Sequence, residues 1–240
     1  MSNMEIWDNL FKTDPAYTKA GKVGGMMITS ISPMYVIRAL TEQFGPAGEG
    51  WGYDIVEERF DNGAPIFKKG NGKDTDEVLC FEQLHTVLLE GWYRLEGEKV
   101  ALPRQFGHTP YIYRSKYGPI SDLEAPKKSV SDALKKSFSM IGVGADIFLG
   151  MFDDPSYVEQ VANESAMAKA DDKDAEAVKQ QEEYEEWRTS HLKTFSESVS
   201  KNEANKLFTL IARKMERHND QGGLRKLNQI KEELSEKFKG

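Results

Sequence analysis

Cysteine is almost missing from this chain: Cys80 stands alone among 240 residues. An internal disulfide is therefore excluded, as is a zinc site built on cysteine pairs. Histidine is scarce too. His85, His108, His191 and His218 show no metal-ligand spacing, and no two of them fall at i, i+4. No apolar run approaches the roughly 18 residues that a membrane helix needs, so no membrane partner is expected. The opening MSNMEIWDNLFKTDP has no basic segment followed by an apolar stretch. A secretory signal is not expected, and a reducing cytoplasm is the expected location.

Nucleotide and nucleophile signatures are also lacking. The stretch KKGNGKDTDE (68–77) suggests a phosphate loop, but Phe67 stands where the first glycine belongs and Asp74 follows Lys73 in place of a hydroxyl. It reads as a flexible inter-strand loop whose Asp74, Asp76 and Glu77 could hold a divalent ion loosely. No G-x-S-x-G occurs, so hydrolase chemistry has no anchor. Neither ATP nor another cofactor is expected.

What is present is charge, unevenly placed. The net charge is −7, made of −5 over 1–155, −7 over 156–186 and +5 over 187–240. Between Lys99 and Lys136 the sign reverses. Lys99, Arg104, Arg114, Lys116, Lys127, Lys128, Lys135 and Lys136 face three acids, Asp122, Glu124 and Asp132. Fields at a protein surface are local, because salt screens beyond about 8 Å. A basic strip inside an acidic domain can thus take a polyanion. Phe106, Tyr111, Tyr113 and Tyr117 interleave with it, and aromatic faces stack on unpaired bases. The competing reading is a lysine-rich sheet edge with tyrosines over the core.

Periodicity predicts an α+β chain. EIWDNLF reads as a short amphipathic helix, and TKAGKVGGMMIT as irregular. A helix follows from Pro33, with Ser32 as cap and Gly45 as its stop. Segments 51–60, 76–95 and 98–108 read as an antiparallel meander with a tight turn at Glu96–Gly97. TPYIYRSKYGP reads as a loop or short strand. A second long helix ends near Gly142 and Gly144. Its stripe Val130, Leu134, Phe138 and Ile141 points into the sheet. Lys128 and Lys135 lie two turns apart on one face, with Lys136 about 100° further round, bordering a groove against the sheet hairpin. Residues 156–180 read as an acidic linker or solvated helix. Residues 181–240 read as a helical hairpin module turning at DQGG.

The order of these elements, with ISPMYVIRALTEQFGPAGEGWGYDIVEERF and KKSVSDALKKSFSMIGVGADIFLGMFDD, resembles the bacteriophage single-strand annealing proteins of the Rad-fifty-two superfamily over roughly residues 5–155. Phe44, Gly45 and Trp51 match that group's entry into its first strand, and Ser131 to Lys136 match its Thr-Asp-Gly-Leu-Lys-Arg helix. TDPAYTK before a glycine-rich stretch is similar as well. The resemblance implies a β-β-β-α core behind an N-terminal helix. It implies ATP-independent annealing of complementary DNA strands in phage recombination and repair, inside a bacterial host, by a homo-oligomeric ring or helical filament. It places single-stranded DNA, and the annealed duplex intermediate, in a positive groove between sheet hairpin and core helix. Two backbone-contacting basic residues carry over to Lys135 and Lys136, and a third falls on Ser139. Arg38 lies about one turn from a family arginine, and the glycine-flanked aromatic near Gly107 is replaced by FGH. Lys128, Arg104, Arg114, Lys116, Lys99, Tyr111 and Tyr113 complete the expected DNA-binding set. No catalytic residue is expected. The helical module of the tail is expected to take a phage exonuclease or the host single-strand-binding protein, or to serve as a packing appendage. Two rivals remain open: a structural adaptor that oligomerises through sheet edges, and a metal-dependent nuclease using Asp54, Glu57 and Glu82.

Overall fold

The computed structural model describes residues 4–23, 25–70 and 73–238, with residues 23, 69, 70 and 73–76 described by their backbone alone. The fold is α+β. The chain divides into two compact units, Met1–Asp153 and Asp154–Gly240.

In the first unit, helix α1 (Glu5–Phe11) leads through a single 3-10 turn into a hairpin of β1 (Thr18–Val23) and β2 (Met26–Ile31). Of the glycines that suggested irregular chain, Gly21 lies within β1 opposite Ile28, and Gly25 sits in the turn before β2 with φ 90°. Helix α2 spans Pro33–Phe44 and stops at Gly45, φ 98°. Ser32 precedes it in extended conformation without a side-chain cap bond, so Pro33 and the Ser32 carbonyl define the start. Trp51 then opens the sheet. Its indole donates to Thr41 Oγ1 at 3.2 Å, and its ring meets Phe138 edge-on at 5.6 Å.

Two strands dominate the sheet: β3 (Trp51–Gly70) and β4 (Lys73–Leu95). The expected loop at 68–77 is mostly strand, since β3 runs to Gly70 and β4 begins at Lys73. Asn71, Gly72 and the side chains of Asp74 and Asp76 lie outside the described residues. At the other end Glu96 and Gly97, with φ 53° and 90°, make the tight turn the sequence predicts. β5 (Glu98–Ala101) and β6 (Gln105–Ser115) lie end to end along β4. The single strand expected over 98–108 is interrupted at Leu102-Pro103-Arg104, because Pro103 has no N–H for the ladder. Residues 109–119, read as a loop or short strand, form the rest of β6 and the start of β7 (Gly118–Ser121). Outward from Gln83, β4 pairs with β3 alone among the described residues, so 63–70 and 73–82 form a two-stranded ribbon.

Helix α3 (Ala125–Ser139) covers one sheet face. Leu134 and Phe138 are buried with Val87, Leu89 and Trp51, while Val130 and Ile141 pack at the margin. Each such side chain contributes about 1.5–3 kcal/mol. Two glycines permit the contact. A Cβ on Gly107 would lie 2.0 Å from Ser129 O, and one on Gly91 would lie 2.4 Å from Ser137 Oγ.

The second unit is helical throughout. The stretch 156–180 belongs to α5 (Pro155–Lys169) and α6 (Lys173–Ser196), followed by α7 (Lys201–Arg217) and α8 (Gln221–Lys237). Asp154, Asp172, Ser200 and Asp220 cap the four helices through side-chain acceptors. The α7–α8 turn falls at His218–Asp220, one step before the expected DQGG. Asn219 takes φ 53°, and Gly222 and Gly223 enter the first turn of α8. Phe195, Ile211, Met215 and Leu227 form the core, whereas Leu210 is exposed although it lies three residues from the partly buried Leu207. No described helix is long and apolar enough to cross a membrane.

His218 stacks on Tyr184 at 4.0 Å. Burial, then the Lys214 charge, hold its pKa below the ordinary 6.5, against the opposing pull of Glu159 and Asp220. The unfolded chain therefore takes up the proton first. The stability involved is fully present above pH 6.5 and is lost as pH falls through the folded value. Helical ellipticity should melt at a lower temperature at pH 5.5 than at pH 7.5, and His218→Phe should narrow that gap. In the first unit, Gly107→Ala overpacks the α3 contact and should cost about 2 kcal/mol in urea unfolding.

Candidate functional site

The predicted basic residues all sit in the first unit, and the fold distributes them over several surfaces. Gly91 and Gly107 bring α3 directly onto β4 and β6, and a groove of about 370 Å³ lies where α3 borders Trp51 and Tyr53 of β3. Arg104 and Lys99 belong to the opposite sheet face. Arg104 Nε donates to Glu90 at 2.9 Å, and Lys99 reaches Asp54 at 3.4 Å while lying 4.7 Å over the Trp92 ring. On the same face Arg59 donates to Glu57 and Asp61, and its guanidinium sits 5.7 Å over Phe106. A hydrogen bond from Thr86, then one from Arg59, hold the Asp61 carboxyl below its usual range. Cations there are matched by carboxylates.

The opening end of α3 gathers another group. Lys128 donates to Asp122 at 2.5 Å and lies within electrostatic reach of Tyr113. Tyr111 packs on Phe60 at 4.9 Å. Arg114 lies opposite Pro119 in the β6–β7 pair, and Lys116 reaches the Tyr117 ring at 4.8 Å. Arg38 on α2 is elsewhere, bonded to Glu42 and to the Tyr17 hydroxyl, each at 2.7 Å.

Lys136 and Lys135 are neighbours in sequence with different surroundings. Lys136 Nζ donates to Asp132 at 2.7 Å and to the Phe106 carbonyl at 3.2 Å, while Asp132 accepts from the His108 backbone N–H at 3.3 Å. Phe106 O and His108 N are outward-facing groups of β6, beside the part of its edge that β7 does not reach. The ion pair therefore closes that edge as a neighbouring strand would, and Pro110, which has no N–H, continues the closure. Lys136 is thus a structural cap of the sheet.

Lys135 points the other way, into a groove of about 390 Å³. One wall is β2 from Met27 to Ile31, and the other is the turn containing Ile147, Phe148, Gly150 and Phe152. Asp132 and Asp153 also line it, but Asp132 is engaged by Lys136. Among the described residues none pairs with Lys135. The second wall depends on the glycines of IGVGAD. Gly142 (φ 109°) passes so close to Trp7 that a Cβ would lie 2.7 Å from the Trp7 carbonyl. Gly144 (φ 67°) turns the chain into the short helix α4 (Ala145–Phe148). Asp146, fully buried, accepts from the Thr13 backbone N–H at 2.8 Å and its hydroxyl at 2.7 Å, so the segment before β1 is tied to the same wall.

Sequence reasoning placed Lys135 at a groove but missed the groove's other components. Met27, Ile28, Phe148 and Phe152 are non-periodic and short-range patterns do not mark them. The IGVGAD glycines were the available signal, and they read only as a helix stop. The carboxylates of the nuclease alternative do not meet. Asp54 pairs opposite Glu90 and Glu57 opposite Leu88, whereas Glu82 lies against Gly63, about 30 Å along β3 from Asp54. No protein-family model matches the chain, and no curated protein is significantly similar to it.

The two lysines should separate experimentally. Lys136→Ala removes an edge cap that is partly exposed, and should lower stability by about 1 kcal/mol. Lys135→Ala should stay within about 0.5 kcal/mol of the parent. Paired thermal and urea unfolding curves check both.

Proposed function

We propose that the chain binds single-stranded DNA without sequence preference and anneals complementary strands without ATP, as part of a multi-subunit assembly. The observation that carries this reading is Lys135, unpaired among the described residues, in a groove lined by Met27, Ile28, Phe148 and Phe152. A cation beside apolar and aromatic surface suits a chain that alternates phosphates with flat bases. The order of hairpin, helix, long antiparallel sheet and covering helix supports the same reading through the resemblance set out above.

The physical scheme needs no bond chemistry. Lys135 neutralises a phosphate and releases its condensed counterion. The groove holds the strand by its backbone and leaves base edges available to a second strand. Correct pairing then stabilises the product by about 1.4 kcal/mol per stacked step. A single subunit offers a weak site, and many in series raise the effective concentration of each for the same strand. Lys128, Arg114, Lys116, Tyr111 and Tyr113, near the opening end of α3, are the second place where phosphates and bases would find partners.

Fluorescence anisotropy with a labelled oligonucleotide tests the proposal. The parent should bind with log affinity falling linearly in log salt, and Lys135→Ala should reduce that slope by about 0.7, one phosphate contact on a single strand. Lys136→Ala, measured below its unfolding range, should keep the slope. Binding by Lys135→Ala with the parental affinity and slope refutes the groove assignment. No binding by the parent at low salt favours the adaptor reading, and strand loss with magnesium favours the nuclease reading.

A further inference from the structure

Among the described residues, two pieces of the first unit are two-stranded with no third strand beside them: the β1–β2 pair and the outer β3–β4 ribbon. Such pairs are marginal in water unless something packs on them. The ribbon carries apolar side chains into solvent. Phe60 is 49% exposed although it packs edge-on against His85 at 4.8 Å, and Phe81, on the same face four residues from His85, is 50% exposed. Val78 and Leu79 beside them are exposed as well. The ribbon and its base are acidic in sequence, with eight Asp and Glu from Asp54 to Glu82 against Arg59, Lys68, Lys69 and Lys73.

The β1–β2 hairpin has the opposite character. It contains Lys19 and Lys22 and no carboxylate, and it exposes Met26 (72%), Met27 and Ile28. Its registers place Lys22 opposite Met27 and Lys19 opposite Ser30. One subunit thus carries an acidic apolar ribbon and a basic apolar hairpin, at opposite ends of α3. The ribbon continues outward from His85, whose carbonyl accepts from Ser129 in the first half of α3. The hairpin lies against Lys135 and the Ile147–Phe152 turn beyond its last half.

We propose that the β3–β4 ribbon of one copy takes the β1–β2 hairpin of a second copy, in a head-to-tail contact. Charge complementarity and matched apolar surface choose the partner, and closure of the β6 edge by Lys136 and Asp132 turns strand addition away from that side. Because the two surfaces differ, the contact repeats and yields a ring or a filament rather than a two-fold dimer. The hairpin also forms one wall of the Lys135 groove, so serial subunits would bring successive grooves next to each contact. This inference deepens the annealing reading and rests on it for the need of serial subunits, but its test uses no DNA.

Light scattering after size exclusion of the full chain decides it, with Phe81→Glu breaking the ribbon and Met26→Glu breaking the hairpin. Both positions are exposed, and unchanged circular dichroism establishes that each variant folds. The parent should run as a multi-subunit species, each variant as a 27.2 kDa monomer. Mixed in equal amounts they should form a heterodimer of twice that mass, since one intact ribbon and one intact hairpin remain. Lys19→Glu with Lys22→Glu should give the same result as Met26→Glu, which covers a Met26→Glu chain that misfolds. A monomeric parent, a variant that keeps the parental size, or a mixture that stays monomeric overturns the proposal. Failure here with normal salt-dependent DNA binding removes the interface alone. Normal assembly without DNA binding removes the annealing reading alone.

Discussion

The close approach of α3 to the sheet is the constraint on which the first unit depends. It exists because two strand positions, Gly91 and Gly107, have no side chain where Ser129, Ala133, Ser137 and Phe138 must sit. With the helix seated there, Phe138 reaches Trp51 and Leu134 joins Val87 and Leu89 in one core. The same seating sets the lysines. Lys135 is left facing β2, and Asp132 and Lys136 are laid along the β6 edge. A helix held even a methyl group higher would lose both the core contact and the edge cap.

Much of the positive charge in the first unit is held in ion pairs. Lys99, Arg104, Lys128 and Lys136 each meet a carboxylate of the same unit. Exposed pairs of this kind contribute little stability, about 0–1 kcal/mol, but they fix where positive potential is cancelled. Lys135 pairs with none of the described residues, and Asp132 in the same groove is engaged by Lys136. A basic strip in sequence therefore becomes largely a set of ion pairs, while Lys135 faces a groove that it shares with Asp153.

The second unit follows a different logic. Its four helices bury one apolar stripe each and are started by acidic or hydroxyl caps. Asp220 joins the cap of α8 to Tyr184 and Arg188. Burial pushes its carboxyl up, but the donors Gly223 N–H, Tyr184 and Arg188 outweigh that and hold it low, while burial with the Asp220 bond drives the Tyr184 phenol well above its ordinary value. The turn between α7 and α8 is thereby fixed by hydrogen bonds rather than by the glycines that follow it.

Local pattern determined much of this protein. The stripe Val130–Leu134–Phe138 determined how α3 faces the sheet, Pro33 and Gly45 bounded α2, and Glu96–Gly97 made the hairpin turn, because each depends on neighbours within four residues. Tertiary structure alone decided that glycine-rich 18–31 holds the paired strands β1 and β2, that β3 runs to Gly70 and β4 starts at Lys73, and that Lys135 and Lys136 part company. Those outcomes depend on groups far apart in the chain: Asp146 with Thr13, Lys136 with Phe106, Gly107 with Ser129. Spacing along a helix reports direction to within about 100° per residue, but it cannot report which carbonyl, carboxylate or empty groove lies in that direction.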